Sequence, residues 1–324
     1  MSFDVYGMCN PLYDIQAELT DEMLAQTGFE KGGMNLIDED AQKALLARIS
    51  GNIVNAESGG SGANTMIGVA LLGGTACYTG KLADDEHGML YAGKLREKGV
   101  QLFASPGVGR TGTCVVLITP DAERTLCTYL GVCRDLGPED VDAAALIASQ
   151  YLYVTGYLWD TESQKSAVLS AMNTARSNGV KVALSLSDPF CVNRHKAAFL
   201  DIASDFVDLL IGNHEEMQEL TGTVCPEDAI RATSELCDMS AVTVGSSGSL
   251  LRDGDTIYAV SPFAVDAVDT TGAGDTYAAG LLYGLTRGIP LDQTGRIAGY
   301  LAAQVVGKLG PRLEHVNHTI IAGL

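Results

Sequence analysis

Short apolar runs rich in β-branched and aromatic residues alternate along this chain with segments whose apolar positions recur every three or four residues. The runs predict strands at 3–9, 76–82, 112–119, 151–158, 180–186, 208–212 and 241–245. The longer period predicts helices at 40–49, 64–72, 85–98, 138–149, 162–178, 226–237, 274–287 and 291–309. From about residue 139 the two patterns take turns. Strands joined in succession by helices run parallel through right-handed crossovers, and the helices cover both faces of the sheet. Tyr151-Leu152-Tyr153-Val154 is apolar throughout, as burial on both faces requires. The expected fold class is therefore α/β, three layers (α/β/α) around a mostly parallel sheet.

Two segments break the rhythm. Residues 13–39 carry little helical period, and 101–131 reads as a hairpin whose arms, 112–119 and 124–130, flank a turn at Pro120-Asp121-Ala122-Glu123. Together they predict a small β-rich lid. The expected division is 1–12, 40–100 and 132–324 for the main domain, and 13–39 and 101–131 for the lid.

The 324 residues suffice for such a domain with an appendage. The formal net charge is −19, which argues against extended nucleic-acid binding, because phosphate neutralisation needs a basic surface. It does not argue against a nucleotide, which a local pocket of amides, cations and metal can hold. No run approaches a membrane span, and the N-terminus lacks a basic, cleavable leader, so a cytoplasmic location is expected. The eight Cys show no metal spacing and read as reduced, buried thiols. His87, His195, His315 and His318 lack metal or triad spacing.

The most informative stretch is Asp269-Thr270-Thr271-Gly272-Ala273-Gly274-Asp275, which opens a small-residue helix. A Gly-Ala-Gly turn at a helix start leaves several N–H groups unpaired, and the helix dipole adds positive charge there. This is an anion hole for a phosphoryl group. Asp275, in the first turn, is placed to take a proton from an attacking hydroxyl. The plainer alternative is an Asp that only caps the helix. Gly59-Gly60-Ser61-Gly62-Ala63-Asn64 is a second Gly-rich turn before a helix, suited to close approach by a polyol, with Asn64 offering donor and acceptor together. Gly107-Val108-Gly109-Arg110-Thr111-Gly112 fits a dinucleotide fingerprint in spelling only, since no helix follows it.

These two stretches resemble the C-terminal and N-terminal signatures of the ribokinase-like (PfkB) carbohydrate and nucleoside kinases. The resemblance runs nearly end to end and implies a ribokinase-like fold and a phosphotransferase using ATP and Mg²⁺. It implies Asp275 as catalytic base, the amides of Gly272, Ala273 and Gly274 as the anion hole, and Gly60, Ser61 and Asn64 as holders of the acceptor hydroxyls. Asn213-His214-Glu215-Glu216 has the family's Asn-x-x-Glu spacing, which implies Asn213 near the nucleotide and Glu216 on Mg²⁺ through water. Thr243, Gly245 and Gly248 match the turn bordering the nucleotide. Arg124 matches a lid arginine that reaches the phosphates on closure. K⁺ dependence is common in the family and is left open here.

Gly7-Met8-Cys9-Asn10-Pro11-Leu12-Tyr13-Asp14 resembles the opening of the adenosine-kinase branch, in which the residue matching Asp14 grips two ribose hydroxyls. In that branch an aromatic at the Tyr157 position stacks on the base. The expected reaction is phosphorylation of the primary hydroxyl of an adenosine-like nucleoside. A sugar kinase of the ribose or fructose type is the alternative, and a non-catalytic ligand-binding protein on the same scaffold is a third reading. The expected partners are small molecules only, bound by a monomer or a homodimer.

Overall fold

The computed structural model describes residues 2–121 and 123–324. Met1, at the start of the 1–12 segment, and Ala122, within the 120–123 turn, lie outside the described residues. The strands are β1 (Phe3–Met8), β2 (Leu12–Glu18), β3 (Met34–Leu36), β4 (Ile53–Ser58), β5 (Ala76–Ala83), β6 (Gln101–Gly107) and β7 (Gly112–Ile118). They continue as β8 (Arg124–Tyr129), β9 (Ser149–Thr155), β10 (Lys181–Ser185), β11 (Leu209–Asn213), β12 (Met239–Thr243), β13 (Ser249–Asp253) and β14 (Thr256–Val260).

A nine-stranded sheet has the order β14-β13-β12-β11-β10-β9-β1-β5-β6, and a five-stranded sheet has the order β3-β8-β7-β2-β4. Every neighbouring pair from β12 to β6 is parallel, and the β13–β14 hairpin closes one edge antiparallel. Separate apolar cores lie on the two faces of the large sheet, as the ribokinase-like α/β/α arrangement requires. The chain grows from β1 through β5 to β6 on one side and from β9 to β12 on the other. The switch point falls between β1 and β9, and in open parallel sheets ligands bind at the carboxyl ends beside such a point.

The small sheet has a core of its own, in which Ala17, Val115, Leu117 and Cys127 pack with Leu24 and Leu45 from the helices Asp21–Thr27 and Glu39–Ile49. Its strands alternate with period two, so Leu12, Asp14 and Gln16 of β2 face away from that core, as do Cys114 and Val116 of β7 and Arg124 and Leu126 of β8. Side-chain parity thus delivers a wall to the cleft.

The element reading needs correction in places. Residues 101–107, grouped with the lid, pair with β5 in the large sheet. The helix Glu39–Ile49 and β4, grouped with the main domain, belong to the small sheet. The predicted strand 151–158 stops at Thr155 and turns into the short helix Gly156–Trp159. The predicted helix 138–149 is a turn at Pro138–Asp140 and a short helix Ala143–Ile147, because Asp142 caps the second by accepting from Ala145 N–H. The helices Pro189–Phe206 and His214–Thr221 and the β13–β14 hairpin join the predicted set. No helix among the described residues is long and apolar enough to cross a membrane.

Candidate active site

A cavity of about 280 Å³ opens at the carboxyl ends of β1 and β9, under the small sheet. Asp14, Gly60, Ser61, Asn64, Arg124, Tyr157 and Asp275 all line it. The two motif helices, Ser61–Leu71 and Ala273–Thr286, reach it side by side. A Cβ on Gly68 would come within 2.6 Å of Ala279 Cβ, so the helices touch closely there. Asn64 and Gly68 are one turn apart, as are Asp275 and Ala279, so the same seam brings Asn64 to Asp275.

At that meeting point Ser61 Oγ donates to Asp275 Oδ1 (2.5 Å) and Asn64 Nδ2 donates to Oδ2 (2.7 Å). Burial raises the Asp275 carboxyl above its ordinary range, opposed by these two donors and by the Arg312 charge. Sequence reasoning put Ser61 and Asn64 on the acceptor; the structure puts both on the candidate base.

Gly272 has φ 77°, and a Cβ there would run into the Pro311 carbonyl oxygen, so only glycine makes this turn. The Ala273 amide is partly engaged, donating to Thr270 O at 3.2 Å. The amides of Gly272, Gly274 and Asp275 have no partner among the described residues. Of the three positions expected to form an anion hole, Gly272 and Gly274 thus keep unpartnered amides, joined by Asp275, while none of Gly272, Ala273 and Gly274 lines the cavity itself. Upstream, Asp269 braces the turn by accepting from Thr271 N–H (3.0 Å) and Gly310 N–H (2.9 Å). Arg124 Nη2 donates to the same carboxylate, tying the small sheet to the turn.

Asp14 projects from β2 onto the bare backbone of Gly59, where any side chain would collide with its carboxylate. Burial, with Glu57 and Asp275 nearby, pushes its carboxyl up to about 7 against the pull of Arg312 and Arg124. Gly60 takes φ 87°, with the Asn10 carbonyl where a Cβ would stand. Asn10 Nδ2 donates to Tyr157 O (3.3 Å) across the switch point, and Tyr157 OH donates to Ser187 O (3.2 Å).

Asn213, Glu216, Thr243, Gly245 and Gly248 do not line this cavity. They lie at the carboxyl ends of β11 and β12, where Asn213 pairs with Thr243. Asn213 and Glu216 form a reciprocal cap: Asn213 N–H and Nδ2 donate to the two Glu216 oxygens (3.0 and 2.8 Å), and Glu216 N–H donates to Asn213 Oδ1 (2.8 Å). Burial pushes Glu216 up to about 7, and Asp188 and Asp275 add to this. Gly248, at φ 92°, closes the 243–248 turn.

Two residues escaped sequence reasoning. Asp188 caps the helix Pro189–Phe206, and its Oδ2 is buried without a partner among the described residues. The apolar run ending in Asp188-Pro189 was a readable helix start. Arg312 is buried at 7% exposure and donates from Nε to Asn64 Oδ1 (2.7 Å); no local pattern marks it.

A family profile described as pfkB family carbohydrate kinase matches residues 48–317. Among solved structures, an adenosine kinase from Sinorhizobium meliloti is 37% identical with TM-score 0.92, covering 100% of this chain and 99% of that one. A probable sugar kinase from Rhizobium etli CFN 42 is 36% identical with TM-score 0.92, covering 100% and 98%. Probable fructokinase-2 of Arabidopsis thaliana is 31% identical over 69% of this chain and 71% of the relative.

Proposed function

The chain belongs to the pfkB family of carbohydrate kinases, phosphotransferases with an alcohol group as acceptor, and from that premise we propose that it moves the γ-phosphoryl group of Mg·ATP to the primary hydroxyl of a nucleoside, adenosine first among candidates. One observation carries the chemistry: the Asp275 carboxyl lines the cavity from the start of a helix whose Gly274 and Asp275 amides have no partner among the described residues.

The residues divide the work. Asp14 accepts two hydroxyl donors of the acceptor and fixes its register. Asp275, held by Ser61 and Asn64, keeps lone pairs free for a third donor, since a carboxylate offers about four acceptor positions. It receives the proton of the attacking hydroxyl as the new O–P bond forms and the bond to the ADP oxygen breaks. The unpartnered amides at the helix start steady the phosphoryl oxygens. Arg124 is placed on the small sheet to add charge once the cleft is covered.

The donor's metal fits the strand ends. Asp188 Oδ2 is buried without a partner among the described residues, and Glu216 is raised by burial and by its acidic neighbours, so a divalent cation would relieve both. Glu216 and Asp188 would hold Mg²⁺ largely through its retained water. When bound, that ion neutralises phosphate charge.

The nucleoside reading draws on the cavity wall. On the small-sheet wall, which also carries Asp14, the side chains of Met34, Leu36, Val116 and Leu126 present an apolar surface, and Ser61 and Asn64 line the same cavity as a polar floor. A nucleobase has a face to lay against such a wall, whereas a bare sugar would leave hydroxyls unsatisfied there. The sugar-kinase reading is favoured by the similarity to the Rhizobium probable sugar kinase and the Arabidopsis probable fructokinase, and by the floor, which suits any vicinal diol. An ADP-release assay on adenosine, inosine, ribose and fructose separates the two. Adenosine turnover is expected; sugar turnover without nucleoside turnover would overturn the first reading.

A further inference from the structure

Arg312 is a guanidinium buried to 7% exposure with no carboxylate within ion-pair distance among the described residues. Leaving such a charge unpaired costs several kcal/mol in general, so its placement needs a reason. Its bonds go to neutral groups: Nε to Asn64 Oδ1 at 2.7 Å and Nη1 to Ser58 Oγ at 3.3 Å, while Nη2 is buried with no partner among the described residues.

Its bond to Asn64 has a consequence for Asp275. Guanidinium has donors only, so the side of Asn64 that faces Arg312 must be the carbonyl oxygen. The amide nitrogen is then turned to Asp275 Oδ2, where it donates at 2.7 Å. With the amide reversed, NH₂ would face guanidinium and the oxygen would face a carboxylate, two repulsive contacts in place of two bonds. The charge thus reaches Asp275 through an oriented dipole. The same loop acts at three successive residues: Gly310 N–H bonds Asp269, the Pro311 carbonyl abuts Gly272, and Arg312 bonds Asn64.

We propose that Arg312 is a positioning residue for the phosphoryl-transfer site: it locks the Asn64 amide so that Asp275 is held in one orientation, and it sets a positive charge beside the carboxyls of the cleft. This deepens the kinase reading and rests on Asp275 as the base. The charged groups facing Asp275 are Arg312, which favours its ionised form, and Asp14 and Glu216, which oppose it; Cys9, Tyr153 and Tyr157 also face it, and burial raises all three.

The test is a carboxyl titration by NMR on protein labelled with ¹³C-aspartate, with the Asp275 signal assigned by its absence in Asp275→Asn. It needs no substrate, so it stands apart from whether the chain phosphorylates adenosine. In Arg312→Met the Asp275 midpoint should rise by about 1–3 pH units, the size expected for loss of a nearby opposite charge. Arg312→Lys, which keeps the charge, should recover most of the rise. With adenosine and Mg·ATP as probes, kcat of Arg312→Met should fall on the order of 10²-fold while KM changes far less, the mark of lost positioning. A folded Arg312→Met with an unchanged Asp275 midpoint, or with unchanged kcat, overturns the proposal. If that variant does not fold, Arg312→Gln, which keeps a donor for Asn64 but no charge, is read the same way. Loss of the kinase reading would show separately, as wild-type protein without turnover beside a midpoint that still moves.

Discussion

Arg124 Nη2 lies 2.5 Å from Asp269 Oδ2, joining a strand of the small sheet to the turn that carries the candidate anion hole. Asp269 is almost fully buried, which by itself raises its carboxyl, but hydrogen bonds from Thr271 and Gly310, together with the Arg124 charge, hold it below the ordinary range. With the Thr271 and Gly310 amides in place, departure of Arg124 to a phosphate would leave Asp269 still hydrogen-bonded. Arg124→Ala should lose one charge-assisted bond in the transition state, roughly 1.5–3 kcal/mol, or about 10- to 150-fold in kcat/KM for ATP. Its melting temperature should stay close to wild type. Steady-state kinetics at saturating acceptor beside a thermal melt checks both halves.

The turn at Gly272 admits no side chain. Gly272→Ala places a Cβ in the left-handed region, costing about 1–2 kcal/mol, and against the Pro311 carbonyl as well. The turn must shift, and the Gly274 and Asp275 amides shift with it. Urea denaturation should show the destabilisation. Turnover should fall by more than the stability loss explains, since the variant stays folded at low urea.

Buried carboxyls give stability a pH dependence with a definite sign. Glu216 is raised from an ordinary value near 4.5 to about 7, and Asp14 from near 3.8 to about 7. Between those limits the folded chain holds protons that the unfolded chain has released, so these groups make stability fall as pH rises from about 4 to about 7, then level off. Glu216→Gln removes one such group. Its melting temperature minus that of wild type should therefore be more positive at pH 8 than at pH 5, both measured without nucleotide. An equal difference at the two values would mean that Glu216 ionises at its ordinary pH.

The layered α/β plan and the chemical residues at the ends of strands were readable because each rests on a local pattern. Apolar runs such as Tyr151–Val154 report two-sided burial, and Asp269–Asp275 reports a helix start with free amides. The β13–β14 hairpin is equally local, with Gly254-Asp255 as its two-residue turn, but its strands alternate only weakly. What could not be read was partnership over distance. Ser61 and Asn64 meet Asp275 across more than 200 residues, and Arg312 meets Asn64 across 248. Close packing of Gly68 on Ala279, with Thr65 Oγ1 donating to the Asp275 carbonyl, sets that seam, and a glycine in an apolar helix does not announce its neighbour. Strand 101–107 was misplaced for a like reason: edge membership depends on which strand it pairs with, and its composition does not say.

The account stands on Asp275 acting as the base. The direct measurement is transfer of labelled γ-phosphate from ATP to adenosine by wild type and by Asp275→Asn, both with melting temperatures recorded. Asp275→Asn, folded and still able to bind nucleotide, should turn over ~10²- to 10⁴-fold more slowly. Turnover near the wild-type rate in that variant would contradict the account.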